Sequence, residues 1–164
     1  MKNIILIGMP GAGKSTIGVV LAKALGYKFI DSDLVIQEKE GKLLHEIISE
    51  SGDEGFRKIE NKINASINDT NAVIATGGSV IYGSEAMSHF QKTGIIIYLK
   101  HSYEEIEQRL GDLSKRGVTI KKGQTLKDLY NERTPLYEKY ADIVIDCGSR
   151  YIRSIVSEIK DNLH

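Results

Sequence analysis

The chain has 164 residues, of which 41% are hydrophobic and 27% charged, the make-up of one soluble globular domain rather than of a disordered or fibrous protein. Lysine plus arginine and aspartate plus glutamate both number 22, so the basic excess that favours nucleic acid or anionic membrane is absent. The single cysteine, Cys147, excludes an internal disulfide and fits a reducing cytoplasm.

The first apolar run, 4–7, is far shorter than the ~20 residues that span a bilayer. With only Lys2 ahead of it and glycines behind, it does not read as a secretory signal. It reads instead as the core of a buried strand, 3–8. Next comes Gly8-Met9-Pro10-Gly11-Ala12-Gly13-Lys14-Ser15, which satisfies G-x-x-x-x-G-K-[ST] between a strand and a helix. Glycines there let backbone N–H groups turn onto phosphate oxygens, and the helix N-terminus adds partial positive charge. Gly11, Ala12, Gly13, Lys14, Ser15 and Thr16 are therefore expected to hold a nucleoside triphosphate. Lys14 would reach the β- and γ-phosphates, and Ser15 would supply a hydroxyl to Mg²⁺. Ile17, Val20, Leu21, Ala24 and Leu25 then recur at helical spacing, with Gly26 placed to end the helix.

A second strand, 27–31, runs into Asp31-Ser32-Asp33. Alternate residues of a strand share a side, so both carboxylates should face the ligand crevice at the strand's C-terminal end. One acid can hold Mg²⁺ through water, and the other can orient a hydroxyl and take its proton. Capping of the following helix is an equally good reading of these residues taken alone.

Residues 42–68 carry helical periodicity and are too long for a simple crossover, which predicts an inserted helical region. Further buried strands are expected at 72–76, 95–99 and 143–146. Gly77-Gly78 follows the first of these, where a backbone can approach a ligand. The polar, basic stretch 111–123 reads either as a solvated loop or as a mobile lid with glycine hinges. The alternation of strand and helix predicts an α/β fold: one domain, 1–164, with a five-stranded parallel sheet and helices on both faces.

These motifs, in this order, resemble the shikimate kinase family of small P-loop kinases over most of the chain. The matching strings are GMPGAGKSTIG (8–18), FIDSD (29–33), GDEGFRKIE (52–60) and ATGGSV (75–80), then Arg109 with Arg116, RTPLY (133–137) and ADIVID (141–146). The resemblance implies ATP-dependent phosphorylation of shikimate at its 3-hydroxyl in a cytoplasmic monomer, with Mg²⁺ required and no nucleic-acid or membrane partner. It assigns Asp31 to Mg²⁺, Asp33 to the acceptor as base, and Arg57 and Arg133 to the acceptor's carboxylate. Gly77 and Gly78 would approach the ring, Glu60 would position Arg57, and Arg116 would close with the lid onto the phosphates. Arg109 and the segment 147–150 would lie near adenine.

Chemistry agrees with these roles, because guanidinium grips a planar carboxylate at two points and lysine cannot. Three departures from the family pattern stand out. Ser79 replaces a third glycine, Gly117 follows Arg116 where proline is usual, and Asp53 replaces glutamate. They predict a lid that opens more freely and leave room for another acceptor. The alternatives are a kinase for another hydroxy acid or a gluconate-like sugar acid, or a nucleotide-binding regulatory module with weakened catalysis.

Overall fold

The computed structural model describes residues 2–111 and 123–163. Five strands form one parallel sheet: β1 (Asn3–Ile7), β2 (Lys28–Asp31), β3 (Ala72–Ala75), β4 (Gly94–Lys100) and β5 (Ile143–Asp146). Their order across the sheet is β2-β3-β1-β4-β5. Every residue of β1 and β3 is buried, which requires cover on both faces and explains why these strands read as unbroken apolar runs. The one polar residue of β1, Asn3, is used at the sheet's lower end. Its Nδ2 donates to Asp69 O at 2.7 Å and its Oδ1 accepts from Ala72 N–H at 3.0 Å, setting β1 in register with β3.

Among the described residues seven helices accompany the strands: α1 (Lys14–Leu25), α2 (Ser32–Glu40), α3 (Leu44–Ala65), α4 (Ser84–Thr93), α5 (Tyr103–Leu110), α6 (Leu126–Tyr140) and α7 (Ile152–Asn162). A 3₁₀ turn, Val80–Tyr82, lies between β3 and α4. Gly26 caps α1 as expected. No helix among the described residues is long and apolar enough to cross a membrane.

Two details differ from the sequence reading. The helical region begins at Ser32 rather than at 42, because α2 precedes α3. Only Ile36 of α2's apolar residues is fully buried while Leu34 is exposed, so α2 carries a weak helical stripe. Helix α3 is also broken at Gly52, whose φ of 73° and ψ of 175° are not helical. Its two halves close over a small apolar cluster of Ile36, Ile47, Phe56 and Ile63, separate from the main core. That cluster brings Arg57 and Glu60 to the upper end of the sheet.

Candidate active site

The loops that follow β1, β2 and β3 meet beyond the strands' C-terminal ends and enclose a cavity of about 350 Å³. Its walls are residues 10–16 from the first loop, Asp31 and Asp33 from the second, and Thr76, Gly77, Gly78 and Ser79 from the third. Leu44, Phe56 and Glu60 of α3, Leu110 of α5 and Arg133 of α6 complete it. This is the crevice in which open α/β sheets bind ligands.

The first loop is held in shape by its own backbone and by neighbouring side chains. Gly11 and Gly13 have φ of 83° and 86°, a left-handed conformation that side chains resist. Lys14 folds back over the loop, donating to Gly8 O at 2.6 Å and Met9 O at 3.0 Å. Burial lowers its pKa to about 8, against the pull of Asp33. From the other side, Arg109 Nη1 donates to Gly11 O at 3.3 Å. His101, almost fully buried, meets Ala12 O through Nε2 at 3.0 Å. His101 was not legible as a loop support, since a lone histidine after a strand has no spacing to mark it.

Asp31 and Asp33 reach the cavity, but not as two residues of one strand. Asp31 ends β2, while Asp33 lies in the first turn of α2, where its N–H donates to Asp31 Oδ1 at 3.0 Å. Capping and ligand-facing placement are therefore both true. Ser15 Oγ donates to Asp31 Oδ2 at 3.3 Å, joining the first loop to the second. Burial, reinforced by the charge of Asp31, raises the pKa of Asp33 to about 6. Asp146, the acid that ends the edge strand β5, does not line the cavity.

Gly77 separates two carboxylates. A Cβ there would lie 2.8 Å from Glu60 Oε2 and 3.0 Å from Asp33 Oδ1. At Gly78 a Cβ would meet Pro10 at 2.8 Å and Arg133 Nη1 at 3.0 Å. Glu60 accepts a 2.6 Å hydrogen bond from Ser79 Oγ. Burial raises its pKa to about 7, with that hydrogen bond pulling the other way. Glu60 feels the charge of both Arg57 and Arg133, so it acts on both arginines. Ser79 spends its hydroxyl on Glu60, so its departure from glycine changes what holds that acid.

Arg57 and Arg133 come together over one ring. Their guanidinium carbons lie 4.0 and 5.6 Å from the centre of Tyr82. Arg133 is almost fully buried and lines the cavity, whereas Arg57 is half-buried and is not among the residues that line it. Tyr137 accepts from Arg133 and donates its own hydroxyl to Gly78 O at 2.6 Å. Tyr82 escaped the sequence reading because nothing in its neighbours forecasts which rings will lie under arginines from two distant helices.

The segment 147–150 is anchored beside the first loop's supports. Cys147 N–H donates to Lys100 O at 2.9 Å, and burial pushes its thiol up to about 12, as expected of a structural cysteine. Arg150 is engaged by Glu158 at 2.6 Å. Arg116, with residues 112–122 of the expected lid 111–123, lies outside the described residues.

Comparison with known proteins gives the family. The model of the family described as shikimate kinase matches residues 10–164. A shikimate kinase of Francisella tularensis subsp. novicida is 41% identical over 162 residues, covering 96% of this chain and 92% of its own. The structure of a shikimate kinase from Acinetobacter baumannii in complex with shikimate superposes with a TM-score of 0.91 at 32% identity, over 99% of this chain and 93% of that one. The shikimate kinase of Aquifex aeolicus gives a TM-score of 0.86 at 30% identity, over 98% and 95%. Phosphate loop, paired acids and converging arginines thus occur in a chain that belongs to the shikimate kinase family.

Proposed function

We propose that this chain transfers the γ-phosphoryl group of ATP to the 3-hydroxyl of shikimate, yielding shikimate 3-phosphate and ADP. Family membership and the relative crystallised with shikimate support the reaction. The observation that carries the reading is the convergence of Arg57 and Arg133 on one ring, beside a cavity that also holds the phosphate loop. A triphosphate and a carboxylate-bearing alcohol can then lie in the same crevice.

Residues 10–16 cradle the phosphates, and Lys14 leaves its carbonyl partners to reach the β- and γ-oxygens. Asp33 accepts the proton of the acceptor hydroxyl as that oxygen forms its bond to the γ-phosphorus and the bond to ADP breaks. Its raised pKa makes it a stronger proton acceptor than an ordinary aspartate. Arg133, with Arg57 behind it, binds the acceptor's carboxylate, and the backbone of Gly77 and Gly78 lies against the ring. Phosphoryl transfer asks the protein chiefly for alignment and charge neutralisation, and these residues supply both.

The donor set fits Mg²⁺, which takes hard oxygens and keeps most of its ligands as water and phosphate. Ser15 Oγ and Asp31 Oδ2 are such oxygens, 3.3 Å apart, and they would hold the ion. When bound it neutralises charge on the β- and γ-phosphates.

In the same reading the chain is one kinase domain, 1–164, acting as a cytoplasmic monomer. Residues 42–68 shape the acceptor side, and Arg109 lies near adenine. The decisive experiment is ADP release from Mg-ATP against a panel of shikimate, gluconate, other hydroxy acids and nucleoside monophosphates. Shikimate should dominate; turnover of gluconate alone, or none at all, would refute the assignment.

A further inference from the structure

Tyr82 has no part in the chemistry described so far, yet the 3₁₀ turn that carries it packs against both α3 and α6. The Arg57 guanidinium carbon is 4.0 Å from its ring centre and that of Arg133 is 5.6 Å away. Two guanidinium groups of like charge repel, the more so away from water. The face of an aromatic ring is electrostatically negative and attracts a cation lying over it. A ring shared by both groups therefore draws together side chains that would otherwise separate.

Other groups do not fix Arg57 in the same way. Glu60 attracts it through space but is bonded to Ser79, and Asp33 interacts with Lys14. Arg57 Nε is buried without a hydrogen-bond partner among the described residues. The ring is thus the close contact that sets the direction of this side chain. Arg133 has a further anchor in Tyr137.

The platform itself is firmly seated. Val80 and Ile81 of the same turn are buried in the main core. Gly83, which ends the turn, fits so closely on α3 that a Cβ there would lie 2.5 Å from Asn61 Oδ1. That oxygen also accepts from Ala86 N–H at 2.9 Å, tying the start of α4 to α3.

We propose that Tyr82 is a positioning residue for the acceptor: its ring sets the spacing of Arg57 and Arg133 so that both act on one carboxylate. The inference rests on reading these arginines as the carboxylate grip. The ring, not the hydroxyl, carries the role, since the phenol oxygen is buried without a hydrogen-bond partner among the described residues.

The test is steady-state kinetics of Tyr82→Phe, Tyr82→Leu and Tyr82→Met in the full chain with Mg-ATP and shikimate, alongside thermal melts. Tyr82→Phe should keep the shikimate KM within about twofold. The two aliphatic variants should raise it about tenfold, as expected for loss of two cation–π contacts, with kcat and the ATP KM near wild type. An unchanged shikimate KM in a folded aliphatic variant overturns the proposal, and so does a loss in Tyr82→Phe as large as in Tyr82→Leu. Arg133→Lys in the same assay separates this inference from the reading beneath it. If Arg133→Lys raises the shikimate KM and Tyr82→Leu does not, only the role of Tyr82 fails. If Arg133→Lys changes nothing, the carboxylate grip itself fails and the inference goes with it.

Discussion

Ser79 Oγ donates to Glu60 Oε1 at 2.6 Å, from the loop after β3 to helix α3, and both residues are buried. Glu60 Oε2 is left facing Gly77, on whose other side Asp33 presents its own carboxylate. Glu60 also feels the charges of Asp33, Arg57 and Arg133, and Lys14 feels Glu60 in turn. A hydroxyl that donates to a carboxylate favours its ionised form, so Ser79 opposes the upward push of burial.

Ser79→Ala should therefore push Glu60 above its value of about 7. The acid limb of kcat/KM for shikimate should move to higher pH by roughly one to two units, the worth of one hydrogen bond to a charged group. Rate profiles between pH 5.5 and 9 check this. Superimposable acid limbs would show that Ser79 only fills space.

Glu60→Gln should stabilise the fold at pH 8 and not at pH 4. The pKa of Glu60 rises from 4.5 to about 7 on folding, so the folded chain binds more protons than the unfolded chain between those values. Stability then falls as pH rises through that window, and glutamine removes the loss. The expected gain at pH 8 is of the order of 1–3 kcal/mol, read from chemical denaturation at both pH values. Lys14, lowered to about 8 from 10.5, acts with the opposite slope and only above that window. A difference between variant and wild type that stays flat from pH 4 to 8 would contradict the raised pKa of the buried Glu60.

Asp33→Asn and Lys14→Met separate chemistry from phosphate binding. Asparagine at 33 cannot take the hydroxyl proton, so kcat should fall about 10²–10⁴-fold while calorimetry shows nucleotide affinity within a few-fold of wild type. Methionine at 14 removes the ammonium aimed at the phosphates, and turnover should fall at least about a hundredfold. Wild-type-like turnover by Asp33→Asn would remove Asp33 from its role as base.

Arg133→Lys keeps the charge but loses the planar fork. The shikimate KM should rise roughly ten- to a hundredfold, with a smaller change in kcat and the ATP KM unaffected. Steady-state kinetics with each substrate varied in turn reads the split.

Much of this protein is written in local order along the chain. Nearly continuous apolar runs mark β1, β3 and β4, because a strand covered on both faces needs no polar side. The phosphate loop is legible at once, since its conformation depends on Gly11 and Gly13 and on neighbours within a few residues. Asp31 and Asp33 are legible as site acids for the same reason, although the helix that starts at Ser32 hides behind a weak stripe.

What only the tertiary structure decides is which distant side chains meet. Arg57 and Arg133 belong to helices far apart in sequence, and neither carries a local sign that it will lie over Tyr82. Ser79 looks like a substitution of glycine until α3 brings Glu60 to its hydroxyl. The burial that moves Asp33 and Glu60 toward neutral pH is likewise a property of packed elements. Such contacts arise from how helices seat on the sheet, and a pattern of residues in one segment holds no record of the segment that will cover it.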